Sequence, residues 1–263
     1  MTELASANVD PEVVQGRAVH LATGVVAPFA AVGRRMLRGF GIASGIGLAV
    51  GILTHAPLLG ACTGLALSLG AAAAAWWPFH DAGLRAAVEL YYDHDCHERA
   101  EWKADTGTPM PRGIKAVERW LAAHPSGPGR ASLLLPMGRI AEADQAIAAI
   151  VPKSPEEAFS VDILRQTRTL LLGGMPDLAP LEERWRSLPD ARERRHRREC
   201  LALLEAQVAI AAHESPLPVL ATARREIGEV YWSMRTPWLL AKWFLIAVVL
   251  VATTTAVSFA LVG

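Results

Sequence analysis

The chain has 263 residues, of which 52 % are hydrophobic, and its 26 basic residues balance 26 acidic ones. This apolar content is high for a soluble globular protein and indicates contact with lipid, so a membrane class has to be considered first. Zero net charge argues against a general nucleic-acid-binding surface, and three scattered cysteines are too few for a disulfide framework.

The first predicted segment is an N-terminal arm, residues 1–38, assigned to the cytosol or the membrane interface. Within it, residues 18–33 are apolar but short and include His20 and Pro28. We therefore expect an interfacial helix there, with a membrane crossing as the alternative. Three arginines close the arm: Arg34, Arg35 and Arg38.

A transmembrane hairpin is predicted at residues 39–77. No Asp, Glu, Lys or Arg occurs between Gly39 and His80. Since a span needs about 20 apolar residues, this run has room for two helices. The break is expected at Thr54-His55-Ala56-Pro57, because proline opens a helix at its first turn but is poorly tolerated inside one.

Glycines recur four residues apart along both arms of the hairpin. The pairs are Gly41 with Gly45, Gly47 with Gly51, and Gly60 with Gly64. Small residues at this spacing let helix backbones approach closely. We expect these glycines to pack the two arms together, with packing against another membrane subunit as the alternative.

A third membrane span is predicted in the C-terminal segment, residues 237–263, and it fixes the topology. Every Lys and Arg lies before Gly39 or between Arg85 and Lys242, so the excess of positive charge is on one side of all three spans. The positive-inside rule then predicts a multi-pass protein of a bacterial-type inner (plasma) membrane. Residues 78–236 are expected in the cytosol and the C-terminus outside.

Aromatic residues mark the same cytosolic interface. Tryptophans end the second span and begin the third: Trp76, Trp77, Trp238 and Trp243. Tryptophan is enriched at the boundary between lipid and water, so we expect these side chains beside the membrane-proximal arginines. No Asp, Glu, Lys or Arg lies in the centre of a span, which removes the usual sign of an ion pathway.

The middle segment, residues 78–236, is predicted to be entirely helical. Helix starts are marked by Ser154-Pro155-Glu156-Glu157 and by Asp190-Ala191-Arg192-Glu193, each with a capping residue followed by an acidic one. Apolar residues recur at helical spacing. The predicted helices are 82–104, 112–124, 129–137, 140–151, 156–173, 178–187, 191–213 and 217–232. Short links between them favour antiparallel helical hairpins.

One stretch, LLLPMGRIAEADQAIAAIVP at residues 133–152, carries a resemblance. Its matching positions are the turn residue Gly138, the small residue Ala143, the apolar residues Ile147 and Ile150, and the terminal Pro152. On these residues it resembles the turn and second helix of a tetratricopeptide repeat. The resemblance implies a concave helical surface that binds other proteins. An unrelated helical bundle is the alternative.

The stretch from Tyr91 to Trp102 is rich in side chains that could bind a metal or take part in catalysis. It contains a candidate metal site, made of Asp93, His94, Cys96 and His97. Imidazole, thiolate and carboxylate together suit zinc or another first-row metal. The alternative is a solvated helix next to the membrane, because no CxxC, HxxxH or HExxH spacing is present.

A basic run at residues 192–198 is the remaining candidate surface. It could meet the anionic cytosolic leaflet or form an exposed helix start, and we expect no nucleic-acid partner. The chain has no phosphate loop, nucleophile elbow or kinase signature, so no enzyme activity is predicted. No cofactor is expected either, apart from the metal ion considered above.

Taken as a whole, the sequence predicts an all-α membrane protein with three spans and a cytosolic helical-hairpin domain. The expected role is a scaffold or accessory subunit whose partners are membrane lipid and other proteins. Two alternatives remain open. One is a metal-binding or metal-sensing protein, and the other is a component of a channel or transporter.

Overall fold

The structure, a computed structural model, describes residues 10–76, 82–125 and 128–227, and toward the C-terminus residues 245–246, 248–250, 252–253, 256–257 and 259–261. Throughout these ranges the secondary structure is helical, with no strand. In the described part of the chain up to residue 227, ten helices follow in order: α1 (Pro11–Leu53), α2 (Pro57–Trp76), α3 (Ala82–Thr106), α4 (Ile114–Ala123), α5 (Pro128–Leu134), α6 (Ile140–Ala148), α7 (Pro155–Leu171), α8 (Ala179–Ser187), α9 (Ala191–Ala211) and α10 (Leu217–Ile227). The all-α prediction is confirmed for the described chain.

Helices α3 to α10 correspond one by one to the eight helices predicted for the middle segment. Helices α5 and α6 both end three residues earlier than expected: α5 at Leu134 instead of 137, and α6 at Ala148 instead of 151. At α5 the cause is local. The reason is Pro136, which lacks a backbone N–H and clashes with the preceding turn of a helix.

The predicted capping signals are present at the starts of α7 and α9. Ser154 Oγ accepts a hydrogen bond from the Glu157 backbone N–H at 3.2 Å. The Glu157 carboxylate accepts from the backbone N–H of Lys153, one residue before the expected partner. At α9 the Asp190 carboxylate accepts from two backbone N–H groups. These bonds satisfy donors that the first turn of a helix leaves free.

The chain divides into two compact units. Unit 1 comprises Met1–Val26 and Ala86–Gly228, and unit 2 comprises Ala27–Arg85 and Glu229–Gly263. Helix α1 therefore contributes to both units, and Pro28 lies just past the boundary within it. Proline removes one helical hydrogen bond from this connecting stretch.

In unit 2, α1 ends at Leu53 and α2 begins at Pro57, so the break falls in the predicted Thr54–Pro57 stretch. The two helices approach through glycine backbone. A Cβ on Gly47 would lie 2.7 Å from the carbonyl oxygen of Gly60, and a Cβ on Gly60 would lie 2.7 Å from the Cα of Gly51. Gly64 is also at this contact, whereas Gly41 and Gly45 have open space around them.

Two helical segments in unit 2 are long and apolar enough to cross a membrane. They are Ala30–Leu53 and Pro57–Ala74, and only 33 % and 17 % of their residues are buried. Such low burial distinguishes them from the core helices of a soluble domain. The third predicted span, 237–263, lies mostly outside the described residues.

The residues expected at the membrane interface are only partly described. Arg34, Arg35 and Arg38 are exposed on α1. The predicted aromatic belt falls outside the description: the side chain of Trp76 and the residues Trp77, Trp238 and Trp243.

Residues 18–33, expected as an interfacial helix, are instead an internal part of α1. Leu21 and Val25 are buried, and unit 1 includes this stretch up to Val26. Nearby, the Arg17 guanidinium donates to the backbone oxygen of Leu171 at 2.7 Å. The first part of α1 thus packs against protein, because unit 1 offers it an apolar surface.

From α5 to α10, the helices of unit 1 pack against their neighbours in the chain: α5 with α6, α6 with α7, α7 with α8, α8 with α9, and α9 with α10. Helix α7 also packs against α9, two helices further along. Its core contains Leu90, Leu134, Phe159, Leu170, Leu201 and Leu220, all nearly inaccessible. The amphipathic spacing of these residues gives each helix one buried face.

Candidate functional site

Side chains of α3 and α9 meet in a cluster of histidines and carboxylates within unit 1. Helix α3 contributes His94, His97 and Glu101, which share a face because they are three and four residues apart. Helix α9 contributes His196 and Glu199, again three apart. We call these five residues the His–Glu cluster. His196 is 8 % exposed and Glu199 only 2 %, so the centre of the cluster is buried.

One oxygen of Glu199 lies between two imidazoles. Glu199 Oε2 is 2.8 Å from Nδ1 of His97 and 3.4 Å from Nδ1 of His196. The three side chains present one ligand-type atom each, and all three atoms lie within 4.8 Å of one another. This compact set of two nitrogens and one oxygen is drawn from two helices about a hundred residues apart in sequence.

The other side of the His196 ring faces Glu101. The distance from Nε2 of His196 to Oε2 of Glu101 is 3.1 Å, an ion-pair contact. Its angle lies outside hydrogen-bond geometry, so the buried Nε2 has no well-directed partner. Arg197 holds Glu101 in place, with guanidinium nitrogens 2.7 and 3.3 Å from its two oxygens.

The charges of the cluster follow from this arrangement. Burial alone would lower the pKa of His196, but the adjacent carboxylates of Glu101 and Glu199 outweigh it and raise the pKa to about 9. For Glu101, burial acts upward, yet His196 and Arg197 hold its pKa at about 2. The pKa of Glu199 is likewise lowered, since His196 and His97 outweigh the effect of burial. The two carboxylates of Glu101 and Glu199 therefore favour the protonated form of His196 between them.

His94 has a different environment from its two neighbours. Burial, reinforced by the charge of His196, lowers the pKa of His94 to about 4, so this imidazole is neutral. Its Nδ1 lies 3.8 Å from Sγ of Cys200. Burial of that thiol raises the pKa of Cys200 to about 12, although the residue keeps part of its surface accessible. His94 and Cys200 form a neutral pair at the edge of the His–Glu cluster.

Of the four sequence-predicted metal ligands, the structure describes the side chains of His94 and His97. His97 joins the cluster centre, whereas His94 contacts Cys200 and is 3.8 Å from Glu98. The side chains of Asp93 and Cys96, the other two predicted ligands, lie outside the described residues.

Sequence reasoning missed the contribution of α9. His196 and Glu199 lie in or beside the basic run 192–198, which suggested an exposed helix start. That interpretation is right for Arg192 and Arg195 and wrong for His196 and Arg198, which are buried. The available signal was the i, i+3 spacing of a histidine and a glutamate. This spacing within α9 could not show that His97 of α3 contacts Glu199.

A second polar feature of unit 1 is a shallow groove of about 330 Å³ along α8, α9 and α10. At its base, buried Arg198 donates to Glu205 at 3.0 Å and to Glu226 at 2.6 Å. The same guanidinium lies 5.4 Å from the ring centre of Trp185. Arg198 thereby links α9 to both neighbouring helices.

Comparisons with known proteins return no relative: no protein-family model, curated protein or solved structure is significantly similar to this chain.

Proposed function

We propose that this protein is a membrane-anchored scaffold or accessory subunit that presents a cytosolic helical unit to another protein. The observation that carries the proposal is the exposure of apolar side chains on the paired helices of unit 2. Ile42, Leu53, Leu58 and Leu69 are all more than half exposed. A contiguous apolar surface of this kind needs lipid or protein around it.

The construction of unit 1 supports the interaction role. Helices α5 and α6 form a hairpin in which Gly138 adopts φ +72° in the turn and Ala143 is fully buried. These are the positions that resemble a tetratricopeptide repeat, and helical hairpins stacked side by side commonly bind other proteins. We therefore assign protein binding to unit 1.

The charge distribution supports the orientation. With the first span taken from Gly39, where the charge-free run begins, the exposed Arg34, Arg35 and Arg38 flank it on its N-terminal side. The positive-inside rule then assigns unit 1 to the cytosol of a bacterial-type inner membrane and the C-terminus to the outside.

Membrane insertion and topology are tested together by cysteine labelling of the full-length protein in cells. Val151, which is 78 % exposed in unit 1, is replaced by cysteine in one variant, and Gly263 in the other. A membrane-impermeant maleimide should label Gly263→Cys in intact cells and Val151→Cys only after permeabilisation. The unsubstituted chain gives the background from its own cysteines. Labelling of Val151→Cys in intact cells, or extraction of the protein by alkaline carbonate, would refute the proposal.

The scaffold role has a separate test. The full-length protein, isolated in mild detergent from its native membrane, is weighed by native mass spectrometry. We expect a stoichiometric complex with a second protein. A chain that remains alone, or only self-associates, contradicts the scaffold role while leaving the membrane assignment intact.

A further inference from the structure

We propose that His97, His196 and Glu199 bind a divalent first-row transition metal, and that zinc fits this donor set best. This site is independent of the scaffold role, since it rests on side chains inside unit 1. It also differs from the site suggested by sequence, because two of its three ligands come from α9.

The donor chemistry supports the assignment. Two imidazole nitrogens and one carboxylate oxygen are a usual protein donor set for zinc, and they also suit neighbouring first-row metals. Calcium and magnesium prefer oxygen ligands alone, so they are poor candidates. Glu199 is nearly inaccessible and is held on a helix, which favours a fixed ligand position.

Two of the three donor-atom separations are close to those of a metal site, and all three atoms lie within 4.8 Å of one another. Metal–ligand bonds of about 2.0–2.1 Å in a tetrahedron place ligand atoms about 3.3 Å apart. The separation of 3.4 Å between His196 Nδ1 and Glu199 Oε2 already matches. The separation of 2.8 Å between His97 Nδ1 and Glu199 Oε2 must open by about 0.5 Å, a small side-chain adjustment given that spacing.

The environment of His196 supplies the outer contacts that metal-binding histidines normally have. Such a histidine usually donates its second ring N–H to a carboxylate, which fixes the ring orientation. Here Nε2 of His196 faces Glu101 at 3.1 Å, while Nδ1 points to Glu199. Arg197 in turn holds Glu101. The buried Nε2, which lacks a well-directed partner in the metal-free protein, gains one when the ring rotates slightly toward Glu101.

Metal binding changes one proton in a defined way. A metal ion binds the lone pair of Nδ1 of His196, so any proton on that nitrogen leaves to solvent as the ion binds. The ring N–H is then at Nε2, opposite Glu101. The His97 side chain is 52 % exposed, so the ion can enter from that side. Three protein ligands leave a fourth position for water.

His94 and Cys200 are excluded from the inner set. Nδ1 of His94 contacts Sγ of Cys200 at 3.8 Å. The His94 ring stacks on the His196 ring, with the ring centres 6.4 Å apart. A site built on His94, as the sequence suggested, would lose its metal when His94 is changed. The site proposed above would not, and this difference separates the two hypotheses.

The test uses tag-free full-length protein in detergent, stripped with chelator and then titrated with Zn²⁺. We expect one tightly bound zinc per chain by elemental analysis after gel filtration, and tetrahedral d–d absorption bands when Co²⁺ is used instead. Glu199→Gln and His196→Ala should abolish both signals. His20→Ala, which removes an exposed histidine of the same unit, is the matched control and should retain them.

Two further variants examine the site's interior. His94→Ala should keep the zinc stoichiometry, whereas Glu101→Gln should weaken the affinity by about 10- to 100-fold while leaving one site per chain. Circular dichroism establishes that each variant is folded, and the isosteric Glu199→Gln protects the test from loss of structure. Absence of bound zinc in the unsubstituted protein, or its retention in Glu199→Gln, overturns the proposal and leaves the cluster as an ion-pair network.

Discussion

The two units differ in the groups at their closest helix contacts. In unit 2, α1 and α2 touch through backbone at Gly47, Gly51 and Gly60, while Met36 and Phe40 of α1 belong to a small apolar core against which Ala71 and Ala72 of α2 pack. In unit 1, α9 is joined to its neighbours by buried charged side chains, among them His196, Arg198 and Glu199. Both units are all-helical, so secondary structure alone does not explain the difference.

The proposed placement of unit 2 in lipid and of unit 1 in water would produce this difference. Lipid gives apolar helices no hydrophobic reason to associate, so close backbone contact at small residues provides the attraction. In a water-exposed domain apolar burial supplies that attraction, and charges can be buried if each has a partner. The stability of the backbone contact in unit 2 should therefore fall when side-chain volume is added there. The stability of unit 1 should fall when one member of a buried charged pair is removed.

The largest expected effect is at Arg198 in unit 1. Arg198→Ala removes the cation from Glu205, whose pKa burial already raises, and from Glu226. Leaving a buried charge without its partner typically costs about 3 kcal/mol or more. We expect a loss of about 3 kcal/mol in the free energy of unfolding, measured by chemical denaturation of the full-length protein in detergent.

Two controls separate charge burial from simple loss of an ion pair. Arg186→Ala breaks an exposed pair with Glu182 and should cost less than about 0.5 kcal/mol. The double variant Arg198→Met/Glu205→Leu removes both charges and should recover most of the stability. Equal losses for Arg198→Ala and Arg186→Ala would show that the network is not the main link between α9 and its neighbours.

The next largest effect is at the glycine contact of unit 2. A Cβ on Gly60 would lie 2.7 Å from the backbone of Gly51, closer than real side-chain carbons approach. Gly60→Ala should therefore destabilise the hairpin by about 2 kcal/mol, as overpacking does. Thermal unfolding of the full-length protein, followed by circular dichroism, gives the comparison.

A glycine on the same helix pair provides the matched control. Gly45 has no atom near its potential Cβ, so Gly45→Ala adds helix propensity without a clash. It should stabilise by about 0.5–1 kcal/mol, opposite in sign to Gly60→Ala. If both substitutions stabilise the protein, the two arms do not approach through Gly60.

A smaller effect is expected at the start of α7. Ser154→Ala removes the oxygen that accepts the Glu157 N–H, and loss of such a cap costs about 1 kcal/mol. Ser160→Ala changes a hydroxyl inside the same helix, where it only donates to the Glu156 backbone oxygen. Its effect on the denaturation midpoint should be clearly smaller, and a reversed order would contradict the capping role.

The smallest effect depends on pH and lies at the start of α9. Two backbone N–H groups lower the pKa of the Asp190 carboxyl. Its stabilising effect is therefore fully present above the pKa of the unfolded chain and disappears as pH falls through the lower folded-state pKa. Asp190→Asn keeps a capping oxygen without the charge. The wild type should melt above this variant near neutral pH, and the two melting temperatures should converge in acid.

Much of the helical organisation could be predicted from sequence because its causes are local. Ser154-Pro155 and Asp190 mark helix starts through bonds within one turn, and Pro57 marks the break in the hairpin. The apolar run from Gly39 has a length and composition that identify membrane-compatible helices. None of these inferences requires knowing which helices meet.

The sequence alone thus determined an all-α chain with two membrane-compatible helices, and it identified His94 and His97 as residues of chemical interest. Only the tertiary structure decided that His97 meets His196 and Glu199, and that Gly47 faces Gly60. The physical reason is the distance along the chain over which each interaction acts. Helix formation follows from spacing within a few residues, whereas the pairing of faces depends on how the whole core packs.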